Sequence, residues 1–340
     1  MCNVNKDKIL LILTGGTICS SENNDGKRSA HADEAKYKIV SAFRESGSPF
    51  SDVEFDYRTP LNILSENMNI SSWNILLDDL RSIENINGYK GIILLHGTDT
   101  LAYTSSLLSF MLTSLEVPLI LVSSQLPIDS EGTNAKVNFR AAAELIMNGI
   151  EPNVYAVYRN SDGNTYLHYG NHLRQCASFS DDFFSTDMEK ITDTINAKLR
   201  GRPFSSDAGL LGKIAELKGT VLTIAPYVGT DYSCYNLQNV SAVIHCTYHS
   251  QTVCVEGEGS IVSLAEMCKK TDTDLFLAPC DSDSYKYVTT GKALESGAVP
   301  IGALTPEAAY AKVLAGCSLG LKGAELTDFI NEEINGETII

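Results

Sequence analysis

Four short, unbroken apolar runs constrain this chain most: Ile9–Leu13, Gly91–Leu95, Pro118–Ser123 and Val154–Tyr158. A strand with one wet face alternates apolar and polar residues, whereas a continuous run requires cover on both faces. Their length suits buried strands of a parallel sheet. Helical patterns lie between them. Ser71 is placed to cap a helix over Ser72–Ile83, Thr100–Leu115 is apolar along one side, and Asn134–Asn148 stops at Gly149. Strand and helix in alternation predict a doubly wound, mostly parallel α/β domain.

A chain of 340 residues exceeds one core of ordinary size. The pattern weakens around Asp187–Gly219, where charged and small residues mix with Gly201, Pro203 and Gly212. It then resumes at smaller scale, with strands predicted at Val221–Ala225, Ala242–Cys246 and Asp274–Ala278. Thr305-Pro306-Glu307 starts a helix with a capping threonine, a proline at the first position and an acid near the positive dipole end; it runs to about Ser318. The expected organisation is an N-terminal domain over 1–190, a linker over 191–217 and a smaller C-terminal α/β domain over 218–340. The polar run Ser20–Ser29 reads as a mobile surface loop.

The charge balance is acidic: 42 Asp+Glu against 26 Lys+Arg, a formal net of −16. Such a surface repels phosphate backbones, so nucleic acid is not the expected ligand. The nine cysteines include no CxxC pair, and an odd number in partly apolar surroundings fits a reducing cytoplasm. The apolar run Ile9–Leu13 is too short for a signal-peptide core, and no stretch reaches the ~18 apolar residues of a membrane span.

Two predicted strands end in related loops. Leu10–Leu13 runs into Thr14-Gly15-Gly16-Thr17, and Ile92–Leu95 into His96-Gly97-Thr98-Asp99-Thr100. Ligands of open α/β sheets bind beyond the carboxyl ends of strands, so both loops fall where a site is expected. Glycines permit positive φ and close backbone approach. The amides of Gly16, Thr17, Gly97 and Thr98 are candidate donors to an oxyanion, reinforced where a helix begins. A threonine hydroxyl is a weak nucleophile until its proton is taken, and Asp99 belongs to a candidate hydrogen-bonded chain beside Thr98. Taken singly, Gly-Gly-Thr and Gly-Thr-Asp are common as ordinary turns and caps. Neither loop matches GxGxxG or GxxxxGK[ST], which argues against those nucleotide sites.

Together, Thr14-Gly15-Gly16-Thr17-Ile18 and His96-Gly97-Thr98-Asp99-Thr100 resemble the two signature motifs of the bacterial-type L-asparaginase (asparaginase/glutaminase) family. Ser65-Glu66-Asn67-Met68 resembles its substrate-binding turn, Ser123-Ser124-Gln125 its next strand exit, and Thr305–Leu314 its last core helix, so the likeness spans nearly the whole chain. The resemblance implies a larger N-terminal and a smaller C-terminal α/β domain and release of ammonia from the side-chain amide of L-asparagine, with some members accepting L-glutamine. It also implies no cofactor, a cytoplasmic type, and a homodimer or homotetramer. It assigns Thr17 as nucleophile through an acyl-enzyme ester and Thr98 as helper of water activation or proton transfer. Asp99 then holds the α-ammonium group, Ser65 binds the α-carboxylate, and backbone donors near Thr98 and Ser124 stabilise the oxyanion.

Three departures stand out. The family's loop tyrosine is missing from Cys19–Arg28, the nearest being Tyr37. The family's lysine falls near Arg174 or Gln175; glutamine is no base, and arginine stays protonated. Glu66-Asn67 replaces a Gln-Asp-like pair, which can reverse the residue that offers a carboxylate to the α-ammonium group. These changes motivate an alternative, an amino-acid-binding or regulatory homologue that lost the chemistry. A further alternative is the amidase subunit of a tRNA-dependent amidotransferase. That reading expects an extra N-terminal domain and a partner subunit, and a first strand near residue 8 leaves no room for the domain.

Other residues read more plainly. His245 and His249 have the spacing of two helical ligands, but the strand pattern between them denies a shared face, so no metal is expected. Tyr248, His249 and Ser250 are instead candidates for a loop near a neighbouring subunit's site. His96 reads as structural, Ser180-Asp181-Asp182 as a solvated turn able to bind Arg174, and Trp73 and the tyrosines as packing residues.

Overall fold

The computed structural model describes residues 8–22, 28–30, 32–191, 209–281 and 286–339. Contacts divide the chain into two compact units, Met1–Leu211 and Gly212–Ile340. Most of the expected linker, residues 192–208, lies outside the described residues.

The first unit contains, in order, β1 (Lys8–Leu13), β2 (Ser20–Glu22), β3 (Arg28–Ala30), α1 (Ala32–Arg44), β4 (Glu54–Arg58), α2 (Ile70–Arg81) and β5 (Gly91–Leu95). It continues with α3 (Leu101–Met111), β6 (Leu119–Val122), α4 (Ala135–Met147), β7 (Val154–Arg159), β8 (Thr165–Tyr169) and β9 (Glu189–Ile191). Its seven-stranded sheet has the order β4-β1-β5-β6-β7-β8-β9. Pairing is parallel from β4 to β7 and antiparallel at β8 and β9. The polar run after Thr17 closes as the antiparallel pair β2/β3, with residues 23–27 outside the described set.

The apolar runs are buried on both faces, as their continuity requires. Ile9, Leu11, Leu13, Ile93, Leu95, Ile120 and Val122 share one core with Ile39 and Phe43 of α1 and Phe139 of α4. The alternate residues Leu10, Ile12, Ile92, Leu94, Leu119 and Leu121 are equally buried and face the other side. There α2 and α3 are joined by the Trp73 indole N–H donating to Thr104 Oγ1 at 3.0 Å.

Two helix limits differ from the pattern-based expectation. Asn69, not Ser71, caps α2: its Oδ1 accepts from the Ser72 amide at 3.0 Å, and Ser71 lies within the first turn. Helix α3 ends at Met111, and Leu112–Leu115 form a non-helical turn in which Leu112, Thr113 and Leu115 stay buried while Ser114 is exposed.

Register sets the site. Leu13 pairs with Leu95, Leu95 with Val122, and Val122 with Val157, so the carboxyl ends of these strands are level. The loops after Leu13, Leu95 and Val122, and residue Tyr158, therefore emerge along one edge of the sheet.

The second unit holds β10 (Val221–Ile224), β11 (Ala242–Cys246), α5 (Ile261–Thr271), β12 (Asp274–Ala278), α6 (Val288–Glu295), β13 (Val299–Pro300), α7 (Pro306–Ser318) and α8 (Gly323–Asn331). Its four strands lie in the order β10-β11-β12-β13, all parallel. Thr305 caps α7 by accepting from the Ala308 amide at 3.0 Å. Among the described residues no helix is long and apolar enough to cross a membrane.

Candidate active site

The site begins with two glycines in contact. The Gly16 amide donates to Ile63 O at 2.8 Å, and the Ile63 amide to Thr14 O at 3.1 Å, which ties the first loop to the segment after β4. Gly16 has φ 77 and ψ −177, a conformation essentially restricted to glycine. A Cβ there would lie 2.3 Å from both Cα and N of Gly97. A Cβ on Gly97 would in turn lie 2.3 Å from Ser65 Oγ. Only glycine allows the three loops to approach this closely.

The contact brings together the residues that the motifs single out. Thr17 opens a short 3-10 turn, Thr17–Cys19, and is half-buried. Ser65 opens another, Ser65–Asn67, and is buried. Its hydroxyl donates to Asp99 Oδ2 at 2.8 Å and accepts from the Asp99 amide at 3.2 Å. The Thr100 hydroxyl donates to Ser65 O at 3.0 Å, locking the start of α3 to the same turn. Asp99 is thus oriented by Ser65 while its carboxylate stays exposed. Glu66 and Asn67 are exposed on the Ser65 turn.

Ser124 is fully buried and its hydroxyl donates to Leu126 O at 2.6 Å. Its side chain therefore shapes the loop after β6, and its neighbour Gln125 reaches the ligand space. His96 is structural: its Nδ1–H donates to Gly97 O at 2.8 Å, and burial pulls its pKa down to about 4. It is neutral near pH 7.

Of the two residues near the lysine position, Gln175 faces the second loop. Its Nε2 donates to Thr98 O at 2.9 Å, whereas Arg174 exposes its side chain and pairs its amide with Phe184 O. Helix α3 fixes this segment, since the Ser105 and Ser106 hydroxyls donate to Gly170 O at 2.9 and 3.2 Å. Tyr37 sits exposed on α1.

A cavity of about 350 Å³ opens beside Thr98 and Asp99, walled by Gln125, Tyr158, Gln175 and Asp181. Thr17 is not among its lining residues. The sequence places Gln125 in a strand exit and Asp181 in a solvated turn but does not gather either with Tyr158, because the three come from separate segments. The one available signal was Tyr158, a polar-tipped residue ending an apolar run.

In the second unit His245 lies on β11 with Nε2 2.5 Å from Tyr232 Oη, both buried. His249 is exposed and its Nε2 lies 3.0 Å from Ser250 Oγ. The two histidines have separate partners, and the described residues contain no cluster able to hold a metal.

The arrangement matches known proteins. The family model "Asparaginase, N-terminal" matches residues 8–203. A glutamyl-tRNA(Gln) amidotransferase subunit of Methanococcus maripaludis is 37% identical over 164 residues, 48% of this chain and 38% of that one. An L-asparaginase of Thermococcus kodakarensis is 33% identical over 151 residues, 44% of each chain. The chain thus spans less than half the length of these relatives. Among solved structures, L-asparaginase I of Vibrio cholerae superposes with a TM-score of 0.75 at 25% identity, covering 98% of this chain and 100% of that one. The Thermococcus kodakarensis enzyme superposes with a TM-score of 0.76 at 23% identity, covering 98% and 99%, and so speaks for the fold. With its two signature loops joined at the strand ends and more than half its length matched by the family model, the chain belongs to the asparaginase family.

Proposed function

We propose that the chain is an amidohydrolase that converts L-asparagine to L-aspartate and ammonia, with side activity on L-glutamine. The observation that carries this reading is the Gly16–Gly97 contact together with the Ser65–Asp99 hydrogen bond. These join the first-loop threonine, an oriented carboxylate and the second-loop threonine at one sheet edge.

In this reading Asp99 receives the substrate's α-ammonium group and the Ser65 turn its α-carboxylate, with Glu66 beside them. Thr17 Oγ attacks the side-chain amide carbon. Backbone N–H groups near Thr98 and Ser124 stabilise the oxyanion. The C–N bond breaks, and the Thr17 proton ends on the departing ammonia. Water, oriented by Thr98, then cleaves the ester and returns a proton to Thr17 Oγ. The enzyme works in the cytoplasm as a homodimer or homotetramer and needs no cofactor. Ammonia release is measured with asparagine and glutamine side by side. Thr17→Ala and Thr98→Ala each abolish it; normal turnover by either removes that residue from the mechanism.

A second reading is favoured by the 37% identity to the Methanococcus amidotransferase protein. Here the chain supplies ammonia within a complex that amidates glutamyl-tRNA(Gln). It predicts that ammonia release appears only with partner subunits and that tRNA. Turnover by the isolated chain at millimolar asparagine rejects it, and also rejects a binding protein without chemistry.

A further inference from the structure

The exits of β6 and β7 are bridged by side chains where their ladder ends. Register pairs Val122 with Val157, and the next bond of a parallel ladder would run from the Arg159 amide to Ser123 O. The Asn138 carboxamide stands in its place. Its Oδ1 accepts from the Arg159 amide at 2.8 Å, and its Nδ2 donates to Ser123 O at 2.9 Å. Asn134 makes a second bridge between the same two exits. Its Oδ1 accepts from the Gln125 amide at 3.2 Å, and its Nδ2 donates to Arg159 O at 2.9 Å. Each carboxamide meets one N–H and one carbonyl, so the partners dictate which of its ends faces which strand exit.

Both asparagines are buried and lie one turn apart at the start of α4, so one helix face serves both bridges. Asn134 occupies the N-cap, where an asparagine ordinarily accepts from the first turn. It makes no such cap bond, and its carboxamide is committed to the strand exits. The bridges fix the peptide group between Ser123 and Ser124. That peptide is trans, so its N–H points opposite to its carbonyl. Ser123 O is held on the β7 side, and the Ser124 N–H therefore faces β5, whose exit loop carries Thr98. The strand agrees in sense: one residue earlier, Val122 O accepts from the His96 amide of that loop at 3.0 Å. The Gln125 N–H is occupied by Asn134 and so is withdrawn from the site.

We propose that Asn138 and Asn134 are positioning residues that aim the Ser124 N–H at the oxyanion formed during hydrolysis; this rests on the amidohydrolase reading above. Both act through Ser124. Asn138 holds the peptide group that carries the donor and Asn134 the one after it, so Asn138 has the larger effect. A donor aimed at charge that develops only in the transition state lowers the barrier without tightening substrate binding. Its misalignment therefore appears in kcat and not in KM.

The test is steady-state ammonia release from L-asparagine by the full chain, with kcat and KM resolved and Tm measured, for the parent and its variants. Asn138→Ala lowers kcat about 100-fold and Asn134→Ala about tenfold, with KM within about threefold of the parent. Phe139→Leu loosens the core beside Asn138 on the same helix; it lowers Tm and leaves kcat at the parent value. Asn138→Asp keeps an acceptor for the Arg159 amide, and its other oxygen donates to Ser123 O only when protonated. At about pH 5.5 its kcat therefore exceeds that of Asn138→Ala at least about threefold. The proposal is overturned if folded Asn138→Ala keeps the parent kcat, if the loss falls on KM, or if Phe139→Leu loses kcat equally. It is also overturned if Asn138→Asp in acid is no better than the alanine variant. Should Asn138→Ala fail to fold, Asn134→Ala decides, and an unchanged kcat there overturns the proposal as well. Turnover by the parent beside undiminished variants rejects this proposal alone, whereas a parent without turnover rejects the hydrolytic reading and the proposal together.

Discussion

Replacing Gly16 with alanine tests the contact on which the site rests. The new Cβ would lie 2.3 Å from Gly97 Cα and N and 3.0 Å from the His96 carbonyl carbon. Carbon atoms pack at about 3.5–4.0 Å, so the loops must part by about 1 Å or more. The φ and ψ of Gly16 add about 1–3 kcal/mol for any residue with a Cβ. Forcing an overpacked contact adds about 1–3 kcal/mol more. The sum is about 4 kcal/mol, which for a unit of this size lowers Tm by about 8–16 °C. A displacement of about 1 Å between Thr17 and the second loop reduces turnover about 100-fold. The control is Gly47→Ala. Gly47 has φ 72 but nothing within 4 Å of its Cβ position, so it isolates the backbone effect of about 1 kcal/mol. Thermal unfolding, followed by fluorescence of the single tryptophan, Trp73, and ammonia release from asparagine are measured on both. If Gly16→Ala matches Gly47→Ala in Tm and turnover, the reasoning about the loop contact is wrong.

Three further outcomes are expected. Gln175→Lys places an ammonium beside Thr98, where a proton-exchanging group is missing, and raises kcat for asparagine at least about tenfold; an unchanged or lower kcat contradicts that role for position 175. Burial lowers the pKa of His96, His168 and His245 to about 4, below the unfolded value near 6.5. The unfolded chain therefore binds more protons between those values, and stability present above pH 6.5 is lost as pH falls toward 4, up to about 3 kcal/mol per histidine. A guanidinium midpoint that stays constant from pH 7 to pH 5, above most of the carboxylate range, refutes this. In the second unit, buried Lys312 pairs with Glu337, and Glu337 also accepts from the Asn335 amide at 2.7 Å. Glu337→Gln leaves a buried cation uncompensated and destabilises that unit by about 3–5 kcal/mol, read as an earlier transition in scanning calorimetry.

The fold was legible in the sequence because a doubly covered sheet needs continuous apolar strands, and Ile9–Leu13, Gly91–Leu95 and Leu119–Val122 are both continuous and buried. Helix limits were less legible because hydrophobicity reports burial, not backbone conformation. Leu112 and Leu115 are buried beyond the end of α3, and so extended the helical pattern falsely. Asn69 and Ser71 are both plausible caps by composition, and the hydrogen bond to the Ser72 amide decides between them. The candidate site was legible where its residues are contiguous, as in Gly16-Thr17 and Thr98-Asp99. Gln125, Tyr158 and Asp181 were not, since only strand register and the return of the Gln175 segment gather them at one cavity.

Gln175 separates two tasks that one lysine would perform together. An ammonium and an amide N–H both donate to a carbonyl, so the bond to Thr98 O and the position of the second loop are maintained by either group. Proton exchange and positive charge are not maintained. With a neutral neighbour, the exposed Asp99 carboxylate has the Ser65 hydroxyl as a donor but, among the described residues lining the cavity, no ammonium to neutralise it. Its attraction for an incoming α-ammonium group is therefore undiminished, or greater. Loss of the lysine thus falls on the step that moves a proton, and binding is preserved. In kinetic terms the deficit belongs in kcat and not in KM. A Gln175→Lys variant should accordingly raise kcat while leaving KM equal or higher, because the new cation competes with the substrate's ammonium for Asp99. A gain that appeared as a lower KM at constant kcat would place position 175 in substrate binding and overturn this division.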